Sequence, residues 1–366
     1  MRSIYLDHNA TTPLAPAAAD AMSAAMAECG NASSVHWAGR RARARIDDAR
    51  VQVAALVGAA PDQVIFTSGG TEANNLALGG LAGGRRLIVS AVEHGSVLAV
   101  RADAEICPVD EDGRIDLAAL RALLGESPAP CTLSLMAANN ETGVIQPVAE
   151  AAEICREFGA AVHCDAVQAA GKIKLDWHDL GADLVSLSAH KIGGPQGVGA
   201  LIVDAGAELM PMILGGGQER GLRAGTENLV GIAGFGAAAA AVPHMAPLED
   251  IRDSIENRIG ALARIYGSGA PRIGNTSCIG MPGVLAETQV MAFDLDGIMV
   301  SAGAACSSGK VTPSHVLGAM GASAEQAAQA IRVSLGQDSR QADADEFVAA
   351  WQRLYQRLGP ARAAAA

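Results

Sequence analysis

Short apolar runs ending in polar clusters recur through the first two thirds of the chain. Val64-Ile65-Phe66 leads into Thr67-Ser68-Gly69-Gly70-Thr71, and Leu87 to Ser90 into Ala91-Val92-Glu93-His94. Thr132 to Met136 leads into Asn139-Asn140-Glu141-Thr142-Gly143, and Ala161 to Cys164 into Asp165-Ala166-Val167-Gln168. Ala182 to Leu187 ends in Ser188-Ala189-His190-Lys191 and then a glycine-rich turn. Apolar runs of this length, bounded by turn residues, predict buried strands. Helices are predicted between them, from Glu72 onward, over Leu117 to Leu124 and over Val148 to Phe158. Such alternation predicts an α/β fold, a mainly parallel sheet covered by helices on both faces. The polar clusters then share the sheet's carboxyl edge, where open α/β sheets bind ligands.

The flanks have a different rhythm. A short apolar strand at the start runs into the turn Asp7 to Pro13, followed by an alanine-rich helix over Ala17 to Ala27. A longer helix carries Ile46, Val53, Leu56 and Val57 and stops at Gly58. After strand Val198 to Val203 comes a turn-rich stretch, GGGQERGLRAGTEN, then a glycine-alanine helix to Val242 and a hinge at Pro243 to Pro247. A helix through Ile251, Ile255, Ile259 and Leu262 opens a second subdomain. There, Ser323 and Gln326 form a capping-box pattern ahead of strand Ile331-Arg332-Val333. The last helix carries Phe347, Trp351, Leu354, Tyr355 and Leu358 on one face.

Composition narrows the classes. The 366 residues are 50% hydrophobic but only 3% aromatic, with 42 glycines, so the core must be aliphatic, with many tight turns. A net charge of −12 argues against nonspecific nucleic-acid binding, and the five arginines between Arg40 and Arg50 read as a solvated helix face. The longest apolar stretch, Leu229 to Val242, is too short to span a bilayer, and Asp7, His8 and Asn9 interrupt any apolar leader. Seven scattered cysteines without a CxxC unit suit a reducing cytosol, and most read as small buried hydrophobes. His163-Cys164-Asp165 alternate between strand faces, so they are not expected to chelate a metal together.

The polar clusters carry the candidate chemistry. Lys191 leaves a buried strand beside His190, where desolvation and a cationic neighbour would lower its pKa for attack on a carbonyl. Thr67 to Thr71 join a strand to a helix N-terminus, a site for phosphate. Together these residues meet the demands of pyridoxal 5′-phosphate: an amine for the aldehyde (Lys191) and a carboxylate for the pyridinium nitrogen (Asp165). Gly70, Thr71, Ser188 and His190 can cradle the phosphate, and His94 can stack on the ring. Asn140 and Gln168 can hydrogen-bond the ring hydroxyl, Asn140 also facing substrate. Arg332 offers a bidentate fork for an amino-acid carboxylate. Cys306 stands alone in SAGAACSSG, a run of residues too small to pack firmly.

The chain resembles the cysteine desulfurases of the class V aminotransferase family, nitrogen-fixation and housekeeping iron–sulfur types. The matching stretches run nearly end to end: YLDHNATTP, NASSVHWAGR, FTSGGTEANNLA, Glu93-His94, NNETG, HCDAVQAAGK, SLSAHKIGGPQGVGAL, RAGTEN, SAGAACSSG and IRVSLG. His8 departs from the asparagine common there, and SAGAACSSG replaces the RxGHHC of the short-loop branch. The resemblance implies a type I PLP-dependent transferase fold, with a large domain over 14–247 and a smaller α+β domain from 1–13 and 248–366. It further implies a cytoplasmic homodimer in which Thr226 reaches the neighbouring subunit's cofactor phosphate. The implied reaction takes sulfur from L-cysteine, with Lys191 moving the α-proton and His94 assisting at sulfur, and leaves alanine and a Cys306 persulfide. The sulfur then passes to an acceptor such as an iron–sulfur scaffold protein, without nucleic acid or membrane partners. Another class V enzyme, a transaminase or selenocysteine lyase, and a noncatalytic sulfur-assembly partner are the alternatives.

Overall fold

The computed structural model describes residues 3–81, 84–242, 248–303 and 313–363. The larger sheet holds β2 (Val64–Thr67), β3 (Arg86–Ser90), β4 (Glu105–Cys107), β5 (Cys131–Ser134), β6 (Ala161–Asp165), β7 (Leu184–Ser188) and β8 (Gly199–Val203). The preceding strand in the chain, β1 (Ile4–Tyr5), belongs elsewhere. Strand order is β2-β8-β7-β6-β5-β3-β4. β8 runs antiparallel to both of its neighbours, while the pairs among β3 to β7 are parallel.

Alternation along the strands sorts side chains to two apolar layers. Val64, Phe66, Ile88, Leu133, Val162, Val185 and Ile202 pack with Ile46 and Val53 of the long N-terminal helix. Ile65, Leu87, Val89, Leu184 and Leu201 pack against Ala73, Leu76 and Ala77 on the opposite face. The first three helices are α1 (Pro16–Met26), α2 (Trp37–Leu56) and α3 (Gly70–Gly79). The glycine-alanine helix Leu229–Ala241 lies close against α1 and α2: a Cβ at Gly236 would stand 2.6 Å from Ala49 Cα.

A second, antiparallel sheet has the order β12-β13-β10-β9, from β9 (Arg264–Tyr266), β10 (Thr276–Gly280), β12 (Ser301–Ala302) and β13 (Ala330–Ser334). β1 pairs in parallel with β11 (Ile298–Met299), so Ile4 and Leu6 join a separate cluster with Ile255, Phe293, Phe347 and Trp351. The expected capping box is present at Ser323, ahead of the helix Ala324–Ala328. The basic patch departs from expectation at Arg50, which is buried and paired with Glu219, because its guanidinium reaches under β2 to the Val64 carbonyl. Cys29 is exposed, whereas Cys107, Cys131, Cys155, Cys164 and Cys278 are buried. The hinge at Pro243 to Pro247 lies outside the described residues.

Candidate functional site

The carboxyl edge of the large sheet faces the N-terminal segment and the second sheet across a cavity of about 970 Å³. Gly70, Thr71, His94, Asn140, Asp165, Gln168, His190, Lys191 and Arg332 all line it. Ser188 ends β7 and is buried behind Gly70, while Thr226 is exposed and does not line this cavity. Cys306 lies outside the described residues; Ser301, Gly303 and His315 line the wall nearest it in sequence.

Lys191 closes a single 3₁₀ turn, Ala189–Lys191, that follows β7 directly. Its Nζ donates to the carbonyls of Asn9 (2.5 Å) and Ala10 (2.8 Å). Burial lowers its pKa to about 8, helped by the Arg332 cation and opposed by Asp7 and Asp165. His190 falls to about 4, by burial and then the Lys191 charge.

Asp165 ends β6, and both carboxylate oxygens receive N–H donors: Oδ1 from Val167 N (3.0 Å) and Oδ2 from Asn74 Nδ2 (2.8 Å). At the turn before α3 the cap residue is glycine and offers no side chain to the free N–H groups. A Cβ at Gly70 would stand 2.9 Å from Val167 Cγ2, so only glycine leaves this cradle open. His94 caps the short helix Gly95–Leu98 through its Nδ1.

Arg332 is held in place from two sides. Its Nη2 pairs with Asp7 at 2.7 Å and its Nη1 donates to the Asn140 carbonyl at 3.2 Å, while buried Nε has no partner. Sequence reasoning misses Asp7, because a turn aspartate gives no sign of an arginine 325 residues away.

Other residues join the site without a clear mark in the sequence. Lys172 is half-buried, and its Nζ donates to Asn9 Oδ1 (2.7 Å) and Gln168 Oε1 (2.6 Å). Burial, then the Lys191 and Arg332 charges, pull its pKa well below the usual lysine range. Beside it, His8 is lowered to about 4, by burial and then the Lys172 charge. Glu93 is buried with one carboxyl oxygen on Met136 N and the other unpartnered, and burial pushes its pKa well up. His315 Nε2 meets the Glu93 carbonyl at 2.9 Å. A lysine after glycine, such as Lys172, reads as solvated from sequence alone; its spacing four residues beyond Gln168 is the available signal.

The sequence profile of the family described as Aminotransferase class-V matches residues 4–347. The chain belongs to the class V aminotransferase family. Among its relatives is a protein named cysteine desulfurase from Cereibacter sphaeroides, 44% identical over 95% of this chain and 94% of that one. The solved structure of a NifS-like protein from Rickettsia africae ESF-5 superposes with a TM-score of 0.90 at 34% identity, covering 97% of this chain and all (100%) of that one. The solved structure of SspA in complex with cysteine matches with a TM-score of 0.80 at 31% identity, covering 91% of this chain and 99% of that one. The class V chain thus has the type I PLP-dependent transferase fold, with the parallel β3–β7 run and its carboxyl-edge cavity as the shared framework. Among the described residues no helix is long and apolar enough to cross a membrane.

Proposed function

We propose that this class V protein is a pyridoxal 5′-phosphate-dependent cysteine desulfurase, converting L-cysteine to L-alanine and carrying the sulfur as a Cys306 persulfide. The observation that carries the proposal is the convergence of Lys191, Asp165 and the open turn at Gly70 on one cavity. Those residues fit the cofactor chemically: a glycine-only cradle at a helix N-terminus for phosphate, a doubly hydrogen-bonded carboxylate for the ring nitrogen, and an amine depressed to about 8. When bound, the cofactor supplies an electron sink for bonds at the substrate's α and β carbons.

The chain's own residues then have definable tasks. Lys191 anchors the cofactor and holds or moves a proton from its Nζ. Thr71, Ser188 and His190 add donors at the phosphate, His94 covers the ring, and Asn140 and Gln168 meet its hydroxyl. Arg332 fixes the substrate carboxylate, exchanging its Asp7 contact for a bidentate one. The cysteine held by SspA, a 31%-identical relative in fold and sequence, supports L-cysteine as substrate.

On this proposal residues 14–247 form the cofactor-binding domain, and 1–13 with 248–366 the smaller one; the separate apolar cluster joining Leu6 to Trp351 supports the division. The enzyme works in the cytoplasm as a homodimer, with Thr226 offered to the partner's phosphate and the persulfide passed to an iron–sulfur scaffold or similar acceptor. Exposed Met210, Met212, Ile213 and Leu214, on the stretch leading to Thr226, support that surface as the one covered by the second copy.

The test is incubation with ³⁵S-labelled cysteine without reductant, followed by peptide mapping. Label on Cys306, absent from Cys306→Ser, with stoichiometric alanine, is the expected result. Label on another cysteine, or undiminished sulfide release by the variant, defeats the proposal.

A further inference from the structure

A chain of hydrogen bonds leads out of Asp165 and ends on His94, and the hydrogen on each link is fixed by chemistry. A carboxylate only accepts, so Asn74 must turn its NH₂ group toward Asp165 Oδ2, 2.8 Å away. The second hydrogen of that NH₂ goes to Ser96 Oγ at 2.9 Å. Ser96 Oγ lies 2.7 Å from His94 Nδ1, a contact whose direction is set by the next bond. The backbone N–H of Ser96 donates to that nitrogen, at 3.1 Å. Nδ1 therefore faces two donors and holds a bare lone pair, which leaves the ring proton on Nε2.

A second observation says that this arrangement is retained for the site. Asn74 is 1% exposed, yet its Oδ1 is buried without a partner. A buried orphan acceptor costs on the order of 1–3 kcal/mol, so the amide is kept for its NH₂ contacts and not for its own comfort.

We propose that Asn74 and Ser96 are positioning residues that hold His94 as the Nε2–H tautomer, so that His94 serves the sulfur as a hydrogen-bond donor and not as a base. In this tautomer Nε2 has no lone pair in the ring plane, and Nδ1 is occupied by Ser96. A proton leaving the substrate thiol has no place to go on His94. A negative sulfur, by contrast, meets a fixed N–H. Donors preorganised at developing charge typically contribute about 10²–10³ in rate.

The part of the inference that concerns sulfur rests on the desulfurase proposal; the proton map does not. The first arm uses apo protein with ¹⁵N-labelled histidine, the His94 signals being those lost in His94→Gln. Two-bond ¹H–¹⁵N correlation should show a single Nε2–H tautomer in the unmutated protein, a growing Nδ1–H fraction in Ser96→Ala, and a return to one tautomer in Ser96→Thr. An Nδ1–H ring in the unmutated protein overturns the tautomer, and no change in Ser96→Ala overturns the positioning role of the Ser96 hydroxyl, because the backbone N–H of residue 96 would then suffice. The second arm compares persulfide formation on Cys306. Glutamine supplies an amide N–H but no base, so His94→Gln should exceed His94→Ala by about tenfold or more. Equal loss in both variants overturns the donor role. An unmutated enzyme that forms no persulfide defeats the desulfurase proposal instead, and the tautomer measurement still decides the proton map.

Discussion

Lys191 is an ammonium made easy to deprotonate. Burial first, and the Arg332 charge second, lower its pKa to about 8, so its free-amine fraction passes one half near that pH and becomes nearly complete only well above it. In the apo protein the rate of cofactor attachment should therefore rise with pH to a plateau, with a midpoint near 8. Arg332→Leu removes one depressing charge and should move the midpoint upward; stopped-flow absorbance at a series of pH values measures both, and an unmoved midpoint contradicts the electrostatic account. Lys191→Ala should show no attachment at any pH. Lys172 acts through neighbours. Its two donated bonds fix Asn9 Oδ1 and Gln168 Oε1, and a neutral amine still carries the two hydrogens that this needs. Lys172→Met should thus raise the cofactor dissociation rate, and in a Gln168→Ala background the same substitution should add less than about 0.5 kcal/mol. Full additivity would mean that Lys172 does not act through Gln168. The residues legible in the sequence are those at strand ends, because a polar side chain after a buried run has few bland explanations. Asn9, Asn74 and Lys172 are not legible: each has its role through a partner distant in sequence, as with Asn9 and Lys172, 163 residues apart.

Among the described residues, the non-glycine positions with positive φ fall in the turn that carries Gln218 to Gly221. Glu219 and Arg220 hold φ values of 45° and 57°, a left-handed conformation that side chains other than glycine resist. What compensates is tertiary. The Glu219 carboxylate pairs with buried Arg50 through bonds of 2.7 and 2.8 Å and accepts the Phe66 N–H at 2.9 Å, tying the turn to the strand before the proposed phosphate cradle. With side chains only 8% and 3% exposed, neither partner has water to fall back on. Glu219→Ala should cost about 3–5 kcal/mol by leaving the Arg50 charge uncompensated, seen as a large drop in Tm. Arg50→Met with Glu219→Gln should recover part of it; a Tm drop no larger than that of an exposed pair such as Arg121–Glu157 would refute the coupling. Strand and helix identity is legible at this scale, since both sheet faces are apolar and the runs stand out. Strand direction is not: β8 is as fully buried as β7 beside it, and its antiparallel pairing leaves no mark on periodicity. The small strands β11 and β12, two residues each, are too short for any pattern.

For the whole molecule, the balance of buried titratable groups sets how it meets acid. His8, His163 and His190 are each held near 4, by burial first in every case. His163 is wholly buried, its ring wedged between Ser134 Oγ at 2.8 Å and Ser186 Oγ at 2.9 Å on the flanking strands. An unfolded histidine titrates near ~6.5. Above that value these rings are neutral in both states and stability does not depend on them. Between about 6.5 and 4 the unfolded chain takes up protons that the folded chain refuses, so stability falls as pH falls, and below about 4 the loss is complete. One such histidine contributes about 2 kcal/mol of loss at pH 5, and three in step would give a slope of about 4 kcal/mol per pH unit. Two effects oppose this: Glu93, its pKa pushed well up by burial, takes up its proton in the folded chain before the unfolded one and offsets about one histidine's share, and the net charge of −12 shrinks toward zero near the pI of about 5.1 and relieves self-repulsion. Those charges are mostly exposed and screened at ~0.15 M salt, so the buried rings should dominate. The apo protein should therefore lose Tm steadily from about pH 6.5 to about 4.5, although it approaches electrical neutrality over that range. His163→Gln can still bond both serines but takes up no proton; its Tm should start lower at neutral pH and fall less steeply, by about one proton's share of the slope. A variant that falls in parallel with the unmutated protein would show that His163 is not among the groups that acid must charge on unfolding.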